Sequence, residues 1–76
     1  MHRKYNKAYF MDLQATIRTR RKALKISQED LAQMAEVGLA TVKDIERGKS
    51  NPSLATITRL LEVLGLEIKY VERDTE

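Results

Sequence analysis

Residues 27–54, SQEDLAQMAEVGLATVKDIERGKSNPSL, have the pattern of two short amphipathic helices separated by a corner of only a few residues. Ser27 is a typical N-cap for the first of these helices, and Asp30 places an acid in its first turn. Gly38 begins the second helix, and Gly48 lies where a glycine commonly follows a helix end. Two short helices joined so closely must cross at a steep angle, which restricts the fold more than any other feature.

Apolar residues recur at helical spacing before, within and after this helix pair, which predicts an all-α domain of four or five helices. The first helix is predicted to begin near Ala8 or Asp12 and to end at Leu24. Ser53 is predicted to cap a last helix that Gly65 closes. The predicted core comprises Leu13, Ile17, Leu24, Leu31, Ala32, Ala35, Val37, Val42, Ile45, Leu54, Ile57, Leu60, Leu61 and Leu64.

After Gly65 the apolar period changes from helical to alternating. Leu66, Ile68 and Tyr70 alternate with other residues, which predicts a short strand. A single strand needs a partner for its N–H and C=O groups, and a second copy related by a two-fold axis supplies one. The alternative is a frayed tail whose alternation arises by chance. We favour the paired strand, because β-branched and aromatic residues gather there and a small core needs support.

The composition excludes disulfides and most kinds of metal site as ways of stabilising this small fold. The chain has 76 residues and no cysteine, and its single histidine is His2. Disulfides and thiolate metal sites are therefore excluded, and we expect no metal and no cofactor. A core of this size usually needs a further source of stability, and dimerisation is the source that the composition leaves open. No apolar run reaches the roughly 18 residues that span a bilayer, and no signal peptide is visible, so we expect a soluble, cytoplasmic protein without membrane contact.

The net charge of +3 is unevenly distributed. Residues 1–26 carry eight Lys or Arg against one Asp, a balance of +7, whereas residues 27–47 carry five acids against two bases, a balance of −3. A basic excess alone is usually a solvated surface. Next to a tight helix pair it favours DNA, because neutralised phosphates supply most of the non-specific affinity. We divide the chain into a basic arm (1–11), a helix-turn-helix domain (12–65) and a dimerisation strand with tail (66–76).

The second helix of the pair is predicted to lie in the DNA major groove, where its N-terminal residues reach base edges. The predicted base contacts are Gly38, Leu39, Ala40, Lys43 and Asp44. Leu39 and Ala40 would meet thymine methyl groups, and Lys43 would meet guanine or a phosphate. The alternatives are that Leu39 folds back onto the core and that Asp44 forms an ion pair with Lys43 or a nearby Arg. The predicted phosphate contacts are Gln28, Thr41, Arg47, Lys49, Ser50 and Asn51.

Residues 12–65 resemble the helix-turn-helix of the Cro/phage-repressor (XRE) class. The resemblance lies in the Ser-Gln-Glu-x-Leu-Ala opening, the Thr-Val-x-x-Ile-Glu-x-Gly-Lys run and the Asn-Pro-Ser-Leu link. It implies a structural ion pair between Arg21 and Glu46. Glu36 departs from the class, in which a glycine of positive φ is usual at the corner. Either the corner is less tight here or Glu36 carries strain of about 1 kcal/mol. Gly38 also replaces the usual Ser/Thr cap.

The trailing Leu-Gly-Leu-Glu-Ile-Lys-Tyr-Val is similar to the C-terminal strand of HipB-like antitoxins. This resemblance implies a homodimer that represses its own operon at a near-palindromic double-stranded operator and binds a HipA-like kinase toxin. The alternative is a stand-alone phage-type or mobile-element regulator without a toxin. We expect no enzyme activity, because the paired acids Glu29/Asp30 and Asp44/Glu46 lie on short surface helices without a cleft.

Overall fold

The computed structural model describes residues 13–70 and residue 72. These residues form four helices, α1 (Leu13–Ala23), α2 (Gln28–Ala35), α3 (Leu39–Glu46) and α4 (Leu54–Val63), which confirms the all-α fold. The predictions for the basic arm 1–11, for the start of the first helix and for the end of the tail lie outside the described residues. No helix in the described part of the chain is long and apolar enough to cross a membrane.

Side-chain caps define where α2 and α4 begin. The Ser27 hydroxyl accepts a hydrogen bond from the Asp30 backbone N–H (2.9 Å), and the Asp30 carboxylate accepts one from the Ser27 N–H (3.2 Å). This reciprocal capping box satisfies two backbone donors that the helix itself leaves unpaired. Ser53 caps α4 in the same position by accepting from the Thr56 N–H (3.1 Å). Both predicted caps are therefore confirmed.

The core is formed by one cluster of buried apolar side chains drawn from all four helices. Its members are Ile17, Leu31, Ala32, Ala35, Val42, Ile45, Leu60, Leu61 and Leu64, all of which the sequence predicted. Two core predictions were wrong, because Leu24 is 40% exposed and Leu54 is 57% exposed. Leu24 follows the last residue of α1 and Leu54 is the first residue of α4, so both lie at helix ends beyond the edge of the core.

The corner between α2 and α3 turns at Glu36, which adopts the left-handed conformation (φ 59°, ψ 45°). The next N–H, that of Val37, donates to the Ala32 carbonyl (3.0 Å) and closes the helix end. A residue with a Cβ is disfavoured in this region of φ and ψ. Of the two alternatives for the corner, the structure therefore has the tight turn with a strained Glu36. Gly38 is the N-cap of α3 and makes no side-chain cap.

The first helix is tied to the far end of α4 by Arg20. Its Nε donates to the carbonyl oxygen of Leu64 (2.8 Å), a group that the end of α4 leaves without an intrahelical partner. After it, Gly65 (φ 74°) turns the chain, and the Leu66 N–H donates to the Leu61 carbonyl (2.8 Å). Residues 66–70 are not a strand within this single chain. Because the predicted strand requires a second chain, the pairing stays a prediction.

Candidate nucleic-acid interface

A buried ion pair fixes α3 against α1. Arg21 Nε lies 2.7 Å from Glu46 Oε2, and Arg21 Nη2 lies 2.9 Å from Glu46 Oε1, so the guanidinium binds the carboxylate through two parallel hydrogen bonds. The Glu46 side chain is only 4% exposed and that of Arg21 11%. The third guanidinium nitrogen donates to the Ile26 carbonyl (2.9 Å). The structural pair that the resemblance implied is therefore present.

The surroundings of Glu46 keep it ionised. Burial by itself raises the pKa of the Glu46 carboxyl, but hydrogen bonds from Arg21 and Gln28 and the charges of Arg21 and Arg18 together lower it below its ordinary value. The hydrogen bond to Glu46 also raises the pKa of Arg21, although burial of the guanidinium by itself lowers it. The pair therefore remains charged at neutral pH and holds the C-terminal end of α3 in one orientation.

Basic side chains surround this ion pair and form a cationic patch, which we define as Arg18, Lys22 and Arg47. With Arg21, Gln28 and Glu46 they line a shallow concavity of about 410 Å³. Arg47 is 62% exposed at its side chain, and Arg18 and Lys22 are also exposed. The negative charge in the floor of the concavity is already neutralised by Arg21, and Arg47 is paired with Asp44, so Arg18 and Lys22 are the cations of the patch best placed to meet an anion.

Gln28, at the N-terminus of α2, has a more defined position than the sequence suggested. Its Nε2 donates to Glu46 Oε1 (3.1 Å), which ties the start of α2 to the end of α3. The amide is therefore partly occupied by the ion pair, while the residue still lies in the wall of the cationic patch. Its predicted phosphate contact remains a prediction.

The predicted base-contacting residues lie along the start of α3 but differ in exposure. Gly38, Ala40 and Lys43 are exposed, whereas Leu39 is half-buried and packs against the core. Leu39 is therefore folded back onto the core, as in the alternative given for it above, and only part of its side chain is exposed.

The C-terminal half of α3 carries a second ion pair. Asp44 accepts a hydrogen bond from Arg47 Nη2 (2.5 Å), so this carboxylate is engaged by a cation of the patch. A cytosine amino group would have to compete with Arg47 for Asp44. In the chain without DNA, Asp44 therefore has the alternative role of pairing with a nearby Arg side chain.

The remaining predicted phosphate contacts lie beside α3. Thr41 is half-buried in the first turn, and Lys49, Ser50 and Asn51 are exposed in the loop that follows Gly48. The Lys49 N–H donates to the Asp44 carbonyl (2.9 Å), which holds the loop close to the end of α3. The predicted loop contacts therefore lie next to the C-terminal end of α3.

Sequence reasoning did not select Arg18 and Lys22 as site residues. In the sequence they belong, with Arg20, to the basic residues of segment 1–26. The structure separates these residues, because Arg20 binds the α4 carbonyl whereas Arg18 and Lys22 line the patch with Arg47. The spacing of four residues between Arg18 and Lys22, one helical turn, was the signal that would have distinguished them.

Comparison with known proteins agrees with this geometry. Residues 17–71 match the family model described as Helix-turn-helix. The chain is 35% identical over 57 residues, 75% of each chain, to an uncharacterized HTH-type transcriptional regulator, y4mF, of Sinorhizobium fredii. It is 34% identical over 55 residues to the immunity repressor protein of Bacillus phage phi105, which covers 72% of this chain but only 38% of that repressor.

A solved structure with a similar fold is the restriction-modification controller protein C.AhdI from Aeromonas hydrophila. It matches with a TM-score of 0.71 and 33% sequence identity, over 79% of this chain and 91% of that chain. The likeness therefore covers most of this chain and nearly all of that one.

Proposed function

The chain belongs to the Helix-turn-helix family, within the Cro/phage-repressor (XRE) class, and from this premise we propose that it is a transcriptional repressor that binds a specific DNA sequence as a homodimer. The observation that carries the proposal is the cationic patch at the C-terminal end of α3, the same short helix whose N-terminal residues Gly38 and Ala40 are exposed. A regulator of this kind needs one element to read bases and cations around it to hold the backbone.

In the proposed complex, α3 enters the major groove with Gly38, Ala40 and Lys43 toward the base edges. Gly38 has no side chain to keep the backbone away from DNA, and Ala40 offers a methyl group to thymine. Arg18 and Lys22 of the patch, and Lys49 of the loop that follows α3, would contact phosphates of the backbone. These contacts supply affinity, whereas α3 supplies sequence preference.

A homodimer presents two copies of α3 to the same face of the duplex. The two recognition helices of such dimers lie about one DNA turn apart, roughly 34 Å, so the proposed operator is near-palindromic. The small core of this chain supports the same conclusion, because domains of this size gain stability from association.

The proposal can be tested by selecting duplexes that bind the full chain from a random double-stranded DNA pool. Binding to the selected duplex is then measured by fluorescence anisotropy over a range of salt concentrations. Lys43→Ala should weaken binding and reduce the slope of log K against log salt by about one unit if Lys43 contacts a phosphate. If Lys43 instead contacts guanine, the variant should lose discrimination at one base pair, about 1–3 kcal/mol, with less change in slope.

Arg59→Ala is the matched control, because Arg59 is an exposed cation of α4 outside the cationic patch. It should leave both affinity and salt slope close to those of the native chain. Failure to enrich any duplex sequence, with equal weak binding by both variants, would contradict the proposed sequence-specific function.

A narrower proposal is that this repressor is the antitoxin of a toxin–antitoxin module and binds a HipA-like kinase. Its support is the resemblance of the 64–71 segment to HipB-like antitoxins. The alternative, a stand-alone phage-type regulator, is supported by the similarity to a phage immunity repressor. A neighbouring reading frame with kinase motifs whose product co-purifies with this chain would establish the first, and an isolated or prophage setting would favour the second.

We also propose that the chain has no catalytic role. Three of the four acids that the sequence pairs are engaged otherwise, since Asp30 completes the cap of α2, Asp44 binds Arg47 and Glu46 binds Arg21. Each carboxylate is thus used to hold a helix end or a neighbouring cation.

A further inference from the structure

A groove of about 630 Å³ lies between α4 and the segment that follows it. Its apolar lining residues are Leu54, Leu61, Leu66, Ile68 and Tyr70, and Thr58, Glu62, Gly65 and Glu67 complete its wall. Three of these side chains are unusually exposed for apolar residues, at 57% for Leu54, 40% for Ile68 and 87% for Tyr70. Exposed apolar surface gathered in one place, instead of scattered singly, marks an interaction site.

The segment that forms one wall of the groove leaves α4 in a fixed direction. The Leu66 N–H is bonded to the Leu61 carbonyl, and the Gly65 N–H to the Glu62 carbonyl (3.1 Å). Beyond this anchor, residues 67–70 make no backbone hydrogen bond within the part of the chain that the structure describes. Their N–H and C=O groups are therefore available to another strand.

The two kinds of side chain on this segment are separated. Leu66, Ile68 and Tyr70 line the groove. Glu67 borders it as well, but the Glu67 and Lys69 side chains are each 76% exposed and approach one another within 3.8 Å. Side chains two residues apart lie on the same face of an extended chain, as these two do. The segment thus has an apolar face toward α4 and a face with one acid and one base.

We propose that the groove is covered by the same segment of a second copy, paired antiparallel with Ile68 on the two-fold axis. This inference rests on the homodimer of the proposed function and specifies its register. In this register Ile68 lies opposite Ile68 of the second copy, and Leu66 lies opposite Tyr70. All three pairs of apolar residues then lie on the groove side of the two-stranded ribbon.

Charge selects this register from its neighbours. With Ile68 on the axis, Glu67 of each copy lies opposite Lys69 of the other, which gives two attractive pairs on the outer face. A register centred on Glu67 places two carboxylates directly opposite one another, and one centred on Lys69 does the same with two ammonium groups. If the axis lies between two consecutive residues, for example between Glu67 and Ile68, apolar residues lie opposite charged residues on both faces. Of these registers, the Ile68-centred one satisfies both faces.

Charge reversal tests the register in the full chain by sedimentation equilibrium. Glu67→Lys alone, or Lys69→Glu alone, turns both attractive pairs into like-charge pairs, so each should raise the dimer Kd on the order of tenfold. The double variant with both substitutions restores opposite charges and should dimerise within about threefold of the native chain. Because both side chains are largely exposed, all three variants should keep native circular dichroism.

Mixing the two single variants gives a sharper outcome. A chain with two lysines lies opposite a chain with two glutamates, so the mixture should form heterodimers in preference to either homodimer. In a register centred on Glu67, a Glu67→Lys homodimer merely exchanges one like-charge pair for another. Unchanged Kd values for the single variants, or a double variant no tighter than the singles, would overturn the Ile68-centred register.

A crosslink provides an independent test, since the native chain has no cysteine. Directly opposed residues of an antiparallel pair have Cα atoms about 4.5–5.5 Å apart, within the range of a disulfide. Ile68→Cys should therefore form a covalent dimer under mild oxidation. Glu67→Cys and Lys69→Cys are matched controls, because their copies lie diagonally at about 7–8 Å and should crosslink poorly. Preferred crosslinking at residue 67 or 69 would refute the proposed axis.

The failure of this inference is distinguishable from that of the proposed function. A native chain that dimerises and binds its selected duplex, but does not follow the charge pattern, refutes only the register. A native chain that is monomeric at concentrations where it binds DNA refutes the register and the homodimer together. A dimer with the expected charge pattern that selects no DNA sequence refutes the proposed function and leaves the interface standing.

Discussion

Replacing Arg21 with alanine tests how α3 is held in place. The substitution removes both guanidinium hydrogen bonds to the Glu46 carboxylate and leaves only the one from Gln28 Nε2 at 3.1 Å. Because the Glu46 side chain is 4% exposed in the native chain, water does not simply replace what is lost. A buried charge without its partner is among the more destabilising changes in proteins.

The structure gives a bound on the cost. The carboxyl has an ordinary pKa of 4.5, so keeping it protonated at pH 7 costs about 3.4 kcal/mol at about 1.36 kcal/mol per pH unit. The electrostatic penalty does not exceed this amount, since protonation is always available. Water that enters the space left by the guanidinium reduces the penalty, while the Ile26 carbonyl loses its partner at a cost of about 1 kcal/mol. We expect a loss of about 3 kcal/mol in the free energy of unfolding.

The sign of the pH dependence separates this mechanism from a packing defect. In the native chain the pKa of Glu46 is lowered, so its stabilisation is present above the unfolded value of about 4.5 and is lost as pH falls through the folded value. In the variant, burial without Arg21 raises the pKa, so destabilisation is greatest at neutral pH and lessens on acidification. Most of the gap between the two proteins should close between pH 7 and about pH 4.

Urea unfolding followed by circular dichroism at several pH values measures both proteins. The control is the double variant Arg21→Ala with Glu46→Gln, in which no buried carboxylate is left without its partner. It should recover about 1–2 kcal/mol relative to Arg21→Ala at pH 7 and nothing near pH 4. A loss below about 1 kcal/mol at pH 7, or a gap that stays constant with pH, would refute the reasoning.

Two backbone positions give further predictions. Glu36→Gly should raise the free energy of unfolding by about 1 kcal/mol, because Glu36 has a φ of 59° that glycine adopts without strain; an unchanged or lower thermal midpoint would contradict this. Gly48→Ala should lower it by about 1 kcal/mol or more, because φ is 72° and an added Cβ would lie 2.8 Å from Gln14 Nε2. Gln14→Ala in the same chain should recover only a small part, since that flexible side chain can move aside but φ cannot.

Local chemistry explains which parts of the fold were predictable from the sequence. Ser27 and Ser53 act on N–H groups three residues away, and Gly48 needs only its own φ, so the signals lie within one turn of the residues concerned. The buried faces of α2 and α3 likewise follow from helical spacing alone. Periodicity does not show where a helix leaves the core, and for this reason Leu24 and Leu54 were assigned to it wrongly.

The site was predictable in part for a related reason. Spacing placed the start of α3 outward, but the pairing of Arg21 with Glu46 came from family resemblance, since the two residues are 25 positions apart. Apart from the four-residue spacing that puts Arg18 and Lys22 on one helix face, nothing local distinguishes Arg20, which binds a carbonyl 44 positions away, from Arg18, which is exposed. What a long basic side chain does depends on what the folded chain brings to it, and that is not encoded in its neighbours.

The adjacent residues Arg20 and Arg21 connect the two halves of the proposed repressor. Arg20 holds the carbonyl of Leu64, where the segment proposed to form the dimer begins, and Arg21 holds Glu46 at the end of the recognition helix. Operator recognition by a dimer requires that each recognition helix keep a fixed distance from the two-fold axis. A single rigid helix, α1, is bonded to both reference points through successive side chains. In the proposed dimer, α1 would therefore set the spacing between half-sites, and the helix that reads no bases would help to determine which operators fit.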